Sequence, residues 1–443
     1  FSKIKRMLTT GKERIVIIGG GFAGLNLIKS LDRNRCDVIL VDRHNYHSFP
    51  PLFYQIASSG LDPGSINFPL RRELYRKLKK GNTGFSMGTA LSVDPENKTV
   101  TTDRETISYD KLIIAIGTTN NFFNMPQLKE KVFTLKSTPQ ALRCRNEILD
   151  RLERASITES DEERRQLLSF VVVGGGPTGV EIAGAIGEMK RYVVKREYPS
   201  LKPSELSVTI IEGSQKILGA MSEISSHRAE KYLSDLMVTV KTGVVMTDYD
   251  GNTVTLDSGD KLQAGMVIWT AGVTGCPLEF IGHELKRGKG NRLIVDGVNK
   301  VKGLQDIYAV GDIAIMPGVD PKFPDGHPQL AQTAIQQAKL LARNLNNGKQ
   351  EEFRYKDKGT MATVGRNRAV ADIGGLHAGG FVAWILWMMV HLISILGMRN
   401  KITVLINWIW AYFSYQTSLR LLIFPEKFPS SAHMTDSCDT DPG

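Results

Sequence analysis

Gly19-Gly20-Gly21-Phe22-Ala23-Gly24 follows the apolar run Ile15-Val16-Ile17-Ile18 and opens a stretch with helical character. It supplies the pattern Gly-x-Gly-x-x-Gly, in which Gly19 permits a tight turn, Gly21 lets a pyrophosphate approach the backbone, and Gly24 allows the helix to pack closely on the strand. Asp42 ends the next apolar run, where a carboxylate can accept hydrogen bonds from a ribose. These features predict a strand–turn–helix–strand unit over residues 14–42 that binds a dinucleotide.

A second unit repeats this arrangement over residues 170–212. Phe170-Val171-Val172-Val173 leads into Gly174-Gly175-Gly176-Pro177-Thr178-Gly179, and Glu212 ends the following apolar run. Glu212 stands 38 positions after Gly174 instead of about 20, which we attribute to a helix prolonged through residues 191–195 and a loop at 199–203. A carboxylate at this place accepts from a free 2′-hydroxyl and repels a 2′-phosphate, so it favours NADH over NADPH.

The two units together predict the fold class. Continuous Val and Ile runs are typical of parallel strands that are buried on both faces, so we expect an α/β protein with two Rossmann-like dinucleotide-binding domains. Between the units, the pattern of residues 141–165 predicts one polar, charged helix.

Composition limits the possible partners. The formal net charge of +10 suits nucleic acid, an anionic membrane surface or an acidic substrate. Basic residues form no block and no helix-turn-helix or zinc-finger pattern is present, so we expect no nucleic-acid partner. The four cysteines lie far apart without a Cys-x-x-Cys pair, which predicts no metal site, no disulfide framework and a reducing compartment. Residues 1–11 contain no apolar stretch of signal-peptide length, so we expect a protein that is not exported.

The last part of the chain has a different character. Residues 378–419 hold only two formally charged residues, Arg399 and Lys401, and four of the five tryptophans. Residues 381–398 are long enough to leave a membrane-spanning helix open as an alternative, but residues 402–415 are short for a return span. An amphipathic module lying in the membrane interface fits better. In its second segment the pattern places Asn407, Ala411, Ser414 and Ser418 on one face and Leu405, Trp408, Ile409 and Tyr412 on the other.

The chain resembles the type II NADH:quinone oxidoreductases, single-subunit and non-pumping members of the two-dinucleotide-binding flavoproteins. The resemblance runs from Arg14 to Phe424, and its most particular part is Ala331-Gln332-Thr333-Ala334-Ile335-Gln336 followed by Lys358-Gly359-Thr360 and the apolar tail. Further motifs that carry it are His44-Asn45-Tyr46-His47, Pro51-Leu52-Phe53-Tyr54-Gln55, Ala115-Ile116-Gly117-Thr118, Trp269-Thr270-Ala271-Gly272-Val273 and Tyr308-Ala309-Val310-Gly311-Asp312.

The resemblance implies the cofactors and a division of the chain. The first glycine loop with Asp42 would bind the ADP half of FAD, Asp312 would hydrogen-bond the ribityl chain, and the second loop with Glu212 would bind NADH. Other cofactor-binding residues implied are Phe22, Ala23, Arg43, Gly117, Pro177, Thr178 and Gly272. The expected domains are an FAD-binding domain at 11–120 and 293–375, the second part carrying the quinone-site helix, an NADH-binding domain at 121–292, C-terminal membrane-anchoring helices at 376–425 and a flexible tail at 426–443.

Residues 331–342 read as one helix, which places Gln332 and Gln336 on the same face. A neutral amide can donate to a quinone carbonyl, and the resemblance assigns Gln332 to the quinone headgroup with Ile335, Lys358 and Met361 nearby. Gln336 could equally be a packing or flavin contact. Glu181, expected in the first turn of the helix after Gly179, is a candidate for contacting nicotinamide and delivering protons, although stabilisation of a helix N-terminus is an alternative.

The expected function is electron transfer from NADH through FAD to a membrane quinone, without proton pumping, by an enzyme on the cytoplasmic face of the inner membrane. Disulfide and sulfide:quinone reductases need reactive cysteines near the flavin, and residues 44–55 contain none. A ferredoxin- or rubredoxin-type reductase and a membrane-attached NADH-binding redox sensor remain alternatives. The apolar tail disfavours the first, and a homodimer that covers part of the tail stays open.

Overall fold

The computed structural model describes residues 11–79, 82–414 and 419–422. A five-stranded sheet contains the first glycine loop, with every neighbouring pair parallel. Its strands, in spatial order, are Ile307–Ala309, Lys111–Ile114, Glu13–Ile18, Cys36–Asp42 and Thr83–Met87. The central strands are buried on both faces, as the continuous apolar runs indicated.

A second sheet repeats the first in strand number and direction, and four of its neighbouring strands have the same order; the fifth, an edge strand, comes last along the chain in the first sheet and first in the second. Its strands are Phe133–Thr134, Met266–Trp269, Ser169–Val173, Ser207–Glu212 and Thr239–Thr242, and all four pairs are parallel. In both sheets the strand that precedes the glycine loop lies at the centre, beside the strand that ends in the acidic residue. The α/β fold with two Rossmann-like units is therefore confirmed.

Smaller antiparallel sheets complete each unit and the C-terminal part. They comprise Ala90–Asp94, Thr99–Thr102 and Thr106–Ser108 with Glu279–Phe280 in parallel; Met246–Tyr249, Thr253–Leu256 and Lys261–Gln263; Thr360–Thr363, Ala369–Ile373 and Leu376–Gly379; Thr118–Asn120 with Val273–Gly275; Tyr46–Ser48 with Asn67–Pro69; and the mixed set Arg287–Gly288, Arg292–Ile294 and Ala314–Ile315.

The described α-helices are numbered in chain order. They are α1 Phe22–Ser30, α2 Phe53–Ala57, α3 Pro63–Ile66, α4 Leu70–Glu73, α5 Tyr75–Lys79, α6 Thr138–Ile157, α7 Asp161–Leu167, α8 Pro177–Glu188, α9 Lys195–Glu197, α10 Glu223–Asp235, α11 Ala331–Asn347, α12 Gly380–Ser394 and α13 Met398–Ser414. Short 3₁₀ helices occupy Pro50–Leu52, Pro126–Glu130, Pro203–Glu205, Lys289–Asn291 and Gly311–Ile313, and a π-helix occupies Met189–Val194.

Two helix predictions compare directly with these bounds. The extension of α8 through residues 191–195 is confirmed, because the π-helix Met189–Val194 continues α8 into α9. The single charged helix at 141–165 is wrong, since the chain breaks between α6 and α7. Ser160 explains the break because its hydroxyl accepts from the Glu163 N–H and so starts a new helix.

The C-terminal helices share a core with the nucleotide-binding units. Ala383, Trp387 and Val404 are buried in the same hydrophobic cluster as Val172 and Ile182. Trp387 is only 1% exposed. Among the described residues, no helix is both long and apolar enough to cross a membrane.

The expected faces of the second C-terminal segment need correction. Trp408 does not lie on the outer apolar face, because its indole N–H donates to Gln55 Oε1 at 2.9 Å. Tyr412 also turns inward, since its ring lies 5.7 Å from that of Trp384. The exposed large apolar side chains of α13 are instead Met398, Ile402, Leu405, Ile406, Ile409, Trp410 and Phe413. Ser418, Tyr415 and the tail at 426–443 lie outside the described residues.

Candidate active site between the glycine loops and the C-terminal helices

The first glycine loop needs glycine at two positions for steric reasons. Gly19 has φ +102°, and a Cβ there would lie 2.3 Å from the Ala115 carbonyl oxygen. A Cβ on Gly24 would lie 1.8 Å from the Gly19 carbonyl oxygen. Gly21 differs, because a Cβ there would meet nothing within 4 Å. The loop therefore leaves open space in front of the N-terminus of α1, where backbone N–H groups can bind a phosphate.

The second glycine loop reproduces this geometry. Gly174 has φ +104° and a Cβ there would lie 2.8 Å from the Ala271 backbone nitrogen, while a Cβ on Gly179 would lie 1.9 Å from the Gly174 carbonyl oxygen. Gly176 again has open space around the added Cβ. Both loops fit a pyrophosphate at a helix N-terminus, so the structure has room for two dinucleotides.

Each acidic residue is anchored to its own glycine loop. Asp42 accepts from the Gly20 N–H at 2.5 Å and from the His44 N–H at 2.7 Å. Glu212 accepts from the Gly175 N–H at 2.6 Å, and its other oxygen accepts from the Ser214 N–H at 2.8 Å. A carboxylate has about four acceptor sites, so both acids keep lone pairs for ribose hydroxyls.

Asp312 belongs to a half-buried polar cluster that includes a lysine. The Lys136 ammonium donates to the Thr118 hydroxyl at 3.1 Å. Burial raises the pKa of Asp312 and lowers the pKa of Lys136, and each charge partly offsets the shift of the other. Asp312 lies in the 3₁₀ helix Gly311–Ile313, as a residue near a helix start. Lys136 was not predicted, because it follows a two-residue strand and lies far from Asp312 in sequence.

Glu181 is a buried carboxylic acid in the middle of the molecule. It is 7% exposed and lies in the second turn of α8, so its expected place in the first turn is wrong, because α8 begins at Pro177. Burial raises its pKa to about 8, opposed by the Thr363 N–H and the Trp387 indole. The Thr363 N–H lies 3.5 Å from Oε1. A carboxyl group in this state is protonated at neutral pH and can donate a proton.

A cavity lies under the C-terminal helices, and two neighbours of Glu181, Thr363 and Trp387, line it. It opens to solvent, and its space together with the solvent at its mouth is about 680 Å³. Aromatic side chains form much of its wall, together with Glu188, Thr363 and Arg366. The aromatic residues are Tyr54, Trp384, Trp387, Trp408 and Tyr412. The motif at residues 51–55 held the signal for Tyr54, but nothing local in the sequence marks Glu188 or Trp387.

The predicted glutamine pair holds one backbone segment. The Gln332 amide accepts from the Lys358 N–H at 3.0 Å and donates to the Gly359 carbonyl at 3.1 Å. The Gln336 amide makes the same two bonds with Lys356, at 3.0 and 2.9 Å. The prediction that Gln332 and Gln336 lie on the same face of α11 is thus confirmed. Both side chains hold residues 356–359 in place.

The segment ordered by the glutamines leads directly to Glu181. Strand Thr360–Thr363 begins after Gly359 and carries Met361, and its last residue directs an N–H at Glu181. Residues 358–363 therefore form a continuous connection: Gln332 binds the backbone at its start, and Glu181 lies near the N–H at its end. Lys358 and Met361 belong to this segment. Ile335 is half-buried on α11, and the Lys358 side chain is exposed.

Comparisons with known proteins match this arrangement over most of the chain. The pyridine nucleotide-disulphide oxidoreductase family model matches residues 13–338, and the NDH2 C-terminal domain model matches residues 358–415. The type II NADH:quinone oxidoreductase Ndh of Mycobacterium tuberculosis is 33% identical over 426 residues, covering 91% of this chain and 89% of that protein. NdhA of the same organism is 34% identical and covers 90% and 87%.

Solved structures agree on the fold. NDH2 from Plasmodium falciparum, solved in complex with NADH, has a TM-score of 0.84 at 24% identity and covers 93% of this chain and 100% of that chain. A ferredoxin reductase from Rhodopseudomonas palustris reaches a TM-score of 0.62 at 19% identity over 82% of each chain. The match at residues 358–415 thus favours the quinone enzyme over the ferredoxin-type alternative. The chain belongs to the type II NADH:quinone oxidoreductases, flavoenzymes that transfer electrons from NADH through FAD to a quinone.

Proposed function

We propose that quinone is reduced next to Glu181, in the region bounded by strand Thr360–Thr363, α8 and α12. The observation that carries this proposal is a buried carboxyl group whose neighbours Thr363 and Trp387 line an aromatic-walled cavity, and whose pKa is raised by burial to about 8. Quinone reduction consumes two electrons and two protons, so a proton donor must stand close to the acceptor oxygen. Glu181 fits this requirement because its pKa of about 8 keeps it protonated at neutral pH.

In this proposal the first glycine loop binds FAD and the second binds NADH. Bound FAD supplies a carrier that accepts two electrons from NADH and gives them to quinone. The residues that we assign to FAD are Gly19, Gly21, Phe22, Ala23, Gly24, Asp42, Arg43, Gly117 and Asp312. Those that we assign to NADH are Gly174, Gly176, Pro177, Thr178, Gly179, Glu181, Glu212 and Gly272. The open space at Gly21 and Gly176 supports both assignments.

Protein groups in this scheme orient the reactants more than they react. Asp42 and Glu212 accept ribose hydroxyls and fix the two nucleotides relative to the sheets. Gln332 and Gln336 hold residues 356–359, and the resemblance places Ile335, Lys358 and Met361 at the quinone. An amide has two N–H groups, and one from Gln332 goes to Gly359. The other is available for a quinone carbonyl.

We further propose that the outer face of α12 and α13 rests on a lipid bilayer. Among the described residues, these helices contribute thirteen exposed large apolar side chains, from Phe381 to Phe413. An apolar face of this extent is typical of an interaction surface. Arg399 and Lys401 lie where the two helices meet and can contact anionic headgroups. The cavity beneath this face would receive quinone from the bilayer; the cytoplasmic side stays a prediction.

The donor role of Glu181 can be tested by changing the acceptor. Glu181→Gln keeps the size of the side chain but cannot donate a carboxyl proton. We expect oxidation of the reduced flavin by ferricyanide to stay near the wild-type rate, since ferricyanide takes electrons without protons. Oxidation by quinone should slow by about a hundredfold, the lower end of general acid contributions. Normal quinone rates in stopped flow would refute the donor role.

A further inference from the structure

Helices α4 and α5 form a strongly basic segment on the surface of the first Rossmann-like unit. Residues 70–79 contain five basic residues and one acidic residue. The expectation that basic residues form no block is therefore wrong for this segment. Leu70 and Leu74 are fully buried, and Leu78 packs against the same hydrophobic cluster. Because these leucines recur at intervals of four, one side of the segment faces the protein and most basic side chains lie on the other side.

The outward side of this segment keeps most of its positive charge. Its exposed side chains are Arg71, Arg72, Tyr75, Arg76 and Lys79. Glu73 is already matched by another cation, because the Lys29 ammonium lies 2.5 Å from its Oε1. The Lys77 ammonium is also engaged, since it donates to the Ile28 and Lys29 carbonyls at the end of α1, each at 2.8 Å. The four exposed basic side chains therefore leave a surface that attracts anions.

The basic segment lies beside the turn that joins α12 to α13. The Asn400 side-chain amide donates to the Asn67 carbonyl at 3.1 Å. The Phe68 ring packs closely on Gly397, where an added Cβ would lie 2.4 Å from a ring carbon. The Arg72 guanidinium in turn lies 5.8 Å from the centre of the Phe68 ring. The positive surface therefore continues directly from one end of the apolar face of α12 and α13.

Apolar, aromatic and basic side chains are exposed together at this end. Met398 is 72% exposed, and its neighbour Arg399 is exposed as well. Tyr75, 61% exposed, adds an aromatic ring with a polar hydroxyl, a combination that favours the membrane–water interface. An anionic bilayer presents negative headgroups directly beside an apolar layer, whereas nucleic acid presents phosphates without one. The surface therefore matches an anionic bilayer better than nucleic acid.

We propose that α4 and α5 bind the anionic headgroups of the bilayer on which α12 and α13 rest, an inference that depends on the membrane face proposed for those two helices. The apolar side chains hold the enzyme in the bilayer, and Arg72, Arg76 and Lys79 add an electrostatic contact beside Arg399. An apolar face alone binds neutral and anionic lipid alike. The basic contact makes attachment depend on lipid charge and on salt, because salt screens exposed charges.

A triple variant of the full holoenzyme, Arg72→Gln with Arg76→Gln and Lys79→Gln, tests this contact. Flotation is measured with vesicles of phosphatidylcholine alone and of equal parts phosphatidylcholine and phosphatidylglycerol. At low salt the affinity for the mixed vesicles should fall by about a hundredfold. Affinity for phosphatidylcholine vesicles and the rate of NADH oxidation by ferricyanide should not change. Wild-type binding to the mixed vesicles should also weaken as salt rises.

The matched control removes the same charge from other exposed sites, through Lys261→Gln, Lys286→Gln and Lys302→Gln. It should bind the mixed vesicles as the wild type does. An equal loss in this control would assign the effect to net charge and refute the contact.

The remaining outcomes separate this contact from the membrane face on which it depends. Equal wild-type affinity for the two vesicle types, unchanged in the α4–α5 variant, would refute the basic contact and leave the apolar face intact. Failure of the wild type to bind either vesicle would refute both. Binding of duplex DNA that is lost in the variant, without any preference for anionic vesicles, would assign the segment to nucleic acid and also refute the contact.

Discussion

Individual residues in the two glycine loops are constrained by atoms that lie within 3 Å. The Cβ that any other residue would add to Gly24 or Gly179 collides with a carbonyl oxygen of the same loop. The acids behave differently, since Asp42 and Glu212 combine a structural bond to a loop N–H with acceptor capacity for a ligand. A mutation of Asp42 or Glu212 therefore reports on nucleotide binding only when a control variant accounts for the lost hydrogen bond to the loop N–H.

Glu212→Gln should reduce the preference for NADH over NADPH. The neutral amide no longer repels a 2′-phosphate and loses a charge-assisted hydrogen bond to the ribose, which corresponds to roughly a tenfold change in the ratio of kcat/KM values. Ser214→Ala is the control, because it removes the hydroxyl that donates to Glu212 at 2.7 Å and leaves the charge. An unchanged ratio in Glu212→Gln, or the same change in Ser214→Ala, would reject the proposed role.

Glu181→Gln should also raise the stability of the folded protein at neutral pH. Burial raises the pKa of Glu181 from 4.5 to about 8, so its contribution to stability is complete below 4.5 and is lost as pH rises through about 8. One pKa unit corresponds to about 1.4 kcal/mol, so the difference between variant and wild type should grow by a few kcal/mol over this range. Thermal unfolding at several pH values measures it; a pH-independent difference would contradict the raised pKa.

At the scale of elements, the strand Thr360–Thr363 joins two groups of functional residues. Its first end is ordered by the glutamines of α11, and its last residue contacts Glu181 on α8. A change in the glutamines can therefore reach Glu181 through the backbone, without any contact between the side chains. This makes a direct quinone contact and a positioning role experimentally separable.

Gln332→Leu and Gln336→Leu separate these two roles. Each removes two hydrogen bonds to residues 356–359, worth about 1 kcal/mol apiece, so a purely positioning role predicts equal effects on quinone turnover. A direct contact from Gln332 predicts that Gln332→Leu raises the quinone KM at least tenfold more than Gln336→Leu does. Flavin reduction by NADH should stay fast in both. Slow flavin reduction by NADH together with normal quinone kinetics would contradict both the contact role and the positioning role.

Local patterns predicted the elements well where strand, loop and helix follow each other directly. Both glycine loops, both acids and helix α11 came from residues that are adjacent in sequence. Glu188, Tyr54, Trp387 and Lys136 could not be placed in this way, because tertiary packing brings them together from distant segments. The faces of α13 show a second limit. The helical period separates its two sides, but the tertiary contacts of Trp408 with Gln55 and of Tyr412 with Trp384 show which side lies inward.

At the scale of the whole molecule, the C-terminal helices have two roles at once. Their inner sides close the cavity and bury Trp387, and their outer sides are apolar. Removing the helices would therefore uncover the core as well as the proposed membrane surface. Substitutions on the outer face are the cleaner test, because they leave the inner contacts in place.

Changing Val382, Ile406 and Phe413 together to Ser should abolish flotation with anionic liposomes. These side chains are 71%, 58% and 79% exposed, and each contributes roughly 1.5–3 kcal/mol when it enters an apolar phase. The control is the triple Ser variant of Ile157, Ile224 and Met237, exposed apolar residues elsewhere. Unchanged flotation together with a shift from dimer to monomer would show that the face binds a second copy instead of a bilayer.

In the proposed mechanism, quinone receives a proton from the buried carboxyl group of Glu181. The most direct measurement is the rate of the quinone half-reaction in stopped flow as a function of pH, for wild type and Glu181→Gln. We predict that the wild-type rate falls as pH rises through about 8, because the acid loses its proton there. The variant should be slow and lack this limb. A variant that is as fast as wild type, with the same decline near pH 8, would contradict proton donation by Glu181.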